Sequence, residues 1–106
     1  MVVTECPILT DLGVRVPDVV WVSPAFFAAH GETSPLPAAP EICVEIVSPS
    51  NAEEEMRQKT AAYLAAGARE VWVVSEEGSV RYFDAQGARA ESAFAVRRDL
   101  PPRAPG

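Results

Sequence analysis

The chain has 106 residues, enough for one hydrophobic core and one site. Its apolar and charged fractions, 48% and 23%, are those of an ordinary globular domain, and no apolar run approaches the roughly 18 residues that a membrane span requires. Fifteen acidic residues against nine Lys and Arg give a net charge of −6. That is the wrong sign for a module held on nucleic acid by phosphate neutralisation alone. It counts less against an enzyme that gathers carboxylates around a divalent cation, because the cation reverses the local field. Met1 to Pro7 carry Glu5, no Lys or Arg and no long apolar stretch, so no secretory signal is expected and a cytoplasmic address follows. Cys6 and Cys43 lie in apolar surroundings with no CxxC spacing, and the one histidine, His30, sits in a Pro/Gly/Ser-containing stretch. A zinc site is not indicated, and both cysteines are expected to be reduced apolar residues in strands.

In chain order, Val2 to Cys6 reads as a short strand, and Pro7 to Gly13 as turn material leading into a second strand, Val14 to Val22. Pro17 cannot donate to a ladder, which predicts that this second strand is at a sheet edge or is bulged where Asp18 follows. Ser23 and Pro24 have the chemistry of a helix cap and first helical position, predicting a short helical turn to Ala29. His30 to Pro40 reads as a loop, and Glu41 to Val47 as a buried strand interrupted by one acid. Asn51 to Ala66 is predicted to be the principal helix. Ser50 and Glu53 have capping-box spacing, three glutamates occupy the first turn, and Gly67 stops it. Glu70 to Ser75 reads as another buried strand, turned by Glu76 to Ser79 into a hairpin with Val80 to Asp84. A further strand is expected around Ser92 to Val96, and a flexible, proline-rich tail at residues 100–106. The order describes an α/β (α+β) domain over residues 1–99, a mixed sheet with one principal helix packed on it.

Three residues stand out chemically. Glu45 sits mid-strand, where alternation sends Cys43, Glu45 and Val47 to one face, so a carboxylate is aimed at an apolar surface. Leaving it unpaired there costs several kcal/mol, so it needs an ion pair, a wet strand end or a metal ion. Lys59 falls on the helical stripe Ala52, Met56, Lys59, Tyr63 and Ala66 that should face the sheet. Either its stem packs while its ammonium snorkels to water, or the ammonium meets the strand carboxylate. Asp18 follows Pro17 ahead of Val19 to Val22; alone, a Pro-Asp pair is turn chemistry. Together, two carboxylates from neighbouring strands and a lysine are the minimum equipment for hydrolysing a phosphodiester. The acids hold a divalent cation that activates water, and the lysine orients the nucleophile or stabilises developing charge.

The series Pro17-Asp18-Val19-Val20-Trp21-Val22, Glu45-Ile46-Val47-Ser48-Pro49-Ser50, Lys59-Thr60-Ala61-Ala62-Tyr63 and Gly67 to Val74 resembles the Uma-type family of putative restriction endonucleases. The resemblance spans Val14 to Asp84. It implies a PD-(D/E)XK nuclease fold and Mg²⁺, with Mn²⁺ as alternative, held by Asp18, Glu45 and the carbonyl of Ile46. It also implies Lys59 as the basic catalytic member and DNA as substrate. The lysine usual two residues after the second acid in that fold is Val47 here, and Lys59 on the helix matches the family's displaced lysine. The chain is shorter than usual for the family, beginning almost at the hairpin, and Ser75 stands where an acid is common. These departures support a competing expectation: a non-catalytic nuclease-fold module that works as a homodimer or completes its sheet through a partner chain. A Gly-rich phosphate loop, CxxC motif or nucleophile-base pair is not in view, so other enzyme classes find no support.

Overall fold

The structure is a computed structural model that describes residues 1–31, 33–48 and 53–93. Among the described residues, ten elements run in the order β1 (Val2–Thr4), β2 (Ile8–Thr10), β3 (Gly13–Arg15), β4 (Val19–Trp21), α1 (Pro24–His30), β5 (Ile42–Ile46), α2 (Glu53–Ala65), β6 (Glu70–Val74), β7 (Val80–Asp84) and β8 (Gly87–Arg89). Six of the strands form one sheet in the order β1-β4-β5-β6-β7-β8, and β2 and β3 form a separate two-stranded ribbon. Only β5 and β6 are parallel, joined through α2. The expected mixed sheet with one principal helix is therefore present.

The expected second strand, Val14 to Val22, is two strands. Val14 and Arg15 pair back on Leu9 and Ile8 in the ribbon, whereas Val19 to Trp21 pair with β1 and β5. Pro17, fully buried between them, has no N–H for either ladder and marks the break. β4 is consequently interior rather than at the edge that Pro17 suggested; the proline lies just outside the paired residues. Pro7 to Gly13 likewise holds a strand, β2, because Ile8 and Thr10 turn inward while Leu9 turns out. Cys43 lies in β5 as expected, but Cys6 lies between β1 and β2; both are free thiols.

Ser23 caps α1 as predicted, its Oγ accepting from the Phe26 N–H at 3.0 Å, with Pro24 first in the helix. The helix runs one residue beyond the predicted end, to His30. The end of α2 is fixed by a paired closure in which the Ala68 N–H donates to the Tyr63 carbonyl at 3.0 Å and the Gly67 N–H to Leu64 at 3.1 Å. Gly67 takes φ +114° there, a conformation that a side chain resists. The capping-box residue Ser50, with Asn51 and Ala52, lies outside the described residues.

Alternation along the strands separates two apolar clusters. Val20, Cys43, Val71 and Val73 face Met56 and Tyr63 of α2, with Ile8 of the ribbon in the same cluster. Val19, Ile42, Val44, Trp72, Val74 and Tyr82 form the other, on the opposite face of the sheet. β7 follows β6 through the predicted turn, closed by the Ser75 N–H donating to Ser79 O at 2.8 Å. β8 was not expected. It lies before the segment anticipated as a strand and forms because Asp84 and Gly87 pair across a tight turn, Asp84 accepting from the Gln86 N–H at 2.8 Å and Arg89 Nε at 2.6 Å. Ser92 and Ala93 are not in a strand; Phe94 to Val96 and the expected tail lie outside the described residues.

Candidate active site

The antiparallel register of β4 on β5 matches Val20 with Cys43 and Val19 with Val44. One further step along the same register sets Asp18 opposite Glu45. Strand neighbours in register share a face, so both carboxylates point to the side of the sheet that α2 covers. The pairing of Val20 with Cys43, both in the cluster under α2, fixes which side that is.

Glu45 is 4% exposed. Its pKa is pushed up to about 7, first by loss of hydration and further by the Asp18 carboxyl, which both repels its charge and shares a hydrogen bond with it. Two groups act the other way: the Tyr63 hydroxyl, which donates to Glu45 Oε1 at 2.7 Å, and the Lys59 charge. Asp18 is half-buried and held by the chain itself: the Ile46 N–H donates to its Oδ2 at 2.7 Å, and its carbonyl accepts from the Glu5 N–H at 3.2 Å. Lys59 has a side chain 25% exposed, and its Nζ lies 3.9 Å from Glu55 Oε1 one turn earlier. Of the four residues named from the sequence, Asp18, Glu45 and Ile46 therefore meet at the junction of β4 and β5. Lys59 stands over them from α2, close enough for its charge to act on Glu45, while its ion-pair contact is Glu55.

Two functional candidates were not singled out from the sequence. Tyr63 stands in the apolar stripe and in the family-like motif without a role in the sequence reading, although a tyrosine facing a sheet needs a partner for its hydroxyl, and Glu45, on that face, needs a donor. Glu41, at the end of the loop, accepts from both the N–H and the hydroxyl of Ser23, tying the start of α1 to the strand that carries Glu45.

Among the described residues, no group of three or more His, Cys, Asp or Glu gathers as a ready metal cage. The pair nevertheless suits a hard divalent cation. Two carboxylates face each other in register, one of them with a pKa raised by burial and by its neighbour, and Mg²⁺ commonly takes one or two carboxylates and completes its shell with water. A cavity of about 260 Å³ lies on the other flank of α2 between Met56, Leu64, Val73 and Phe83, and neither Asp18 nor Glu45 lines it.

The sequence pattern of the Uma2 family, described as putative restriction endonuclease, matches residues 1–103. The chain belongs to this family. The match is wider than the stretch that carries the resemblance in sequence, taking in β1, the ribbon and residues beyond β8. No curated protein matches it. A solved structure, a putative nuclease belonging to DUF820 from Anabaena variabilis ATCC 29413, has the same fold with a TM-score of 0.67 at 16% identity. The match covers 94% of this chain and 59% of that one, so this Uma2 chain spans little more than half of that protein's length. No helix among the described residues is long and apolar enough to cross a membrane.

Proposed function

We propose that this Uma2 chain is a metal-dependent endonuclease that hydrolyses DNA phosphodiester bonds in the cytoplasm. The observation that carries the reading is the register of β4 on β5, which sets Asp18 against Glu45 under Lys59. Asp18, Glu45 and the carbonyl of Ile46 are the groups to hold Mg²⁺ or Mn²⁺. When bound, the cation supplies Lewis-acid activation of water and neutralises charge on the phosphoryl oxygens. The protein supplies the rest. Glu45 would hold the cation as its carboxylate, Asp18 is fixed by the Ile46 amide, and Lys59 sits where an ammonium can orient the attacking water or meet developing negative charge. Glu55, with Oε1 3.9 Å from Nζ, is a second carboxylate within reach of that ammonium.

Calorimetric titration of Mg²⁺ and Mn²⁺ into the parent, Asp18→Asn and Glu45→Gln tests the site, followed by cleavage assays on linear and circular DNA. Binding and cleavage that vanish in both variants support the reading. A folded parent that binds neither ion sinks it.

A second reading is a non-catalytic interaction module working as a homodimer. It is favoured by the ribbon, whose outer side leaves Leu9, Leu12, Val14 and Val16 each about half exposed, and by β1, an edge strand with Val2 50% exposed. A strictly monomeric solution mass removes this reading and leaves the first untouched.

A further inference from the structure

Tyr63 is wholly buried in the cluster between α2 and the sheet, a place where phenylalanine would fill the same volume. Its hydroxyl is therefore the feature that packing does not account for. The hydroxyl donates to one oxygen of Glu45, Oε1, at 2.7 Å. Asp18 is treated in parallel fashion, with one oxygen, Oδ2, taken by the Ile46 N–H at 2.7 Å. Each carboxylate thus has one oxygen pinned by a donor that belongs to the rigid frame, a helix side chain in one case and the strand backbone in the other. Tyr63 lies one helical turn after Lys59, so consecutive turns of α2 present a cation and a neutral donor to the same pair of acids.

We propose that Tyr63 is a positioning residue, which holds Glu45 in a single orientation so that its remaining oxygen capacity is directed to a divalent cation shared with Asp18. The inference rests on the metal site proposed above and adds to it a residue that touches neither cation nor substrate. The physical logic is that of the outer partners of metal ligands. A carboxylate free to rotate loses entropy on binding, whereas one already fixed by a hydrogen bond does not, and removing such a partner typically weakens metal binding by about 10- to 100-fold.

The test uses Mn²⁺ as probe in calorimetry on the parent, Tyr63→Phe and Tyr82→Phe, with thermal melts of all three without metal. Tyr82 is the chain's other tyrosine, buried on the opposite face of the sheet, and controls for the loss of any buried hydroxyl. Weakening by about 10- to 100-fold in Tyr63→Phe, with Tyr82→Phe at the parent value, supports the proposal. Equal affinity in Tyr63→Phe and the parent overturns it and leaves the metal site standing; so does equal weakening in both variants, which would report general loosening. A parent that binds no Mn²⁺ overturns this proposal and the metal reading together. A measurement on the parent itself guards against a variant that fails to fold. With Cζ-labelled tyrosine, carbon-13 spectra contain two resonances, assigned through Tyr82→Phe. Saturating Mg²⁺ is expected to move the Tyr63 resonance and leave Tyr82 in place, and calorimetric Mg²⁺ saturation with an unmoved Tyr63 resonance refutes the role.

Discussion

Glu45 holds a proton up to about pH 7 in the folded chain, whereas a glutamate in an unfolded chain releases it near 4.5. Between those values folding takes up a proton, so the metal-free chain loses stability as pH rises through that window and has its full share below it. The bound is on the order of 3 kcal/mol from the shift of roughly two and a half pKa units. Urea melts from pH 4.5 to 8 should show this decline, and Glu45→Gln, which cannot ionise, should flatten it. A parent curve that rises across the window contradicts the assignment. Divalent cations compete with the same proton, so Mn²⁺ affinity should climb from pH 6 to 8 in the parent. Lys59 makes a separate prediction. Lys59→Met removes a positive charge beside the cation, so Mn²⁺ affinity should hold or tighten, while DNA cleavage should fall by about 10²-fold or more if the ammonium orients the attacking water or stabilises developing charge. Equal cleavage by parent and variant would remove Lys59 from the chemistry. Glu45 and Lys59 were legible in sequence because each breaks an apolar pattern, and a violated pattern is the strongest signal a single chain carries. Tyr63 violates none. Its importance appears only when Glu45 is found facing it across 18 residues of chain.

At the scale of elements, legibility followed how local the determinants are. α2 and β6 were readable because their signals lie inside them: acids in the first turn of the helix, a glycine at its end, and an unbroken apolar strand after it. Gly67 provides the test. Nothing lies within 4 Å of where a Cβ would sit, so Gly67→Ala meets no steric obstacle and its cost is that of the backbone at φ +114° alone, about 1–2 kcal/mol. Urea denaturation should show that loss, with Mn²⁺ affinity unchanged because Lys59 and Tyr63 lie earlier in the helix. A neutral substitution would mean that the closure of α2 is not held by this conformation. The splitting of Val14 to Val22 was not readable, because the choice of partner for Val14 depends on Ile8 being drawn into the core beneath the ribbon. The same holds for β8, where the turn at Ala85 and Gln86 lacks the usual hairpin residues and rests on Asp84 gathering Gln86 and Arg89.

Across the whole molecule the sheet separates two duties. The face under α2 carries the carboxylates. The opposite face carries Trp72, Tyr82 and their neighbours, and it contains a second buried acid, Glu70, which is 4% exposed. Glu70 accepts three hydrogen bonds: from Trp72 Nε1 at 2.9 Å, from the Ser92 hydroxyl at 2.6 Å and from the Ala93 N–H at 2.7 Å. These fasten the chain beyond β8 to the middle of the sheet and satisfy a carboxylate that burial would otherwise penalise. A negative charge on this face has a different meaning from one on the other. Glu70 accepts from three donors, whereas Glu45 accepts from Tyr63 and has its pKa raised by burial and by the facing Asp18 carboxyl. Glu70→Ala leaves the indole and the Ala93 amide without their acceptor and should cost about 3 kcal/mol, and Glu70→Gln, which keeps one acceptor oxygen, should cost less. Mn²⁺ affinity at fixed pH should be the same in both variants as in the parent, because Glu70 lies on the opposite side of the sheet from Asp18 and Glu45. Loss of metal binding in a folded Glu70→Gln chain would show that the two faces are not independent and that the sheet transmits strain from one acid to the other.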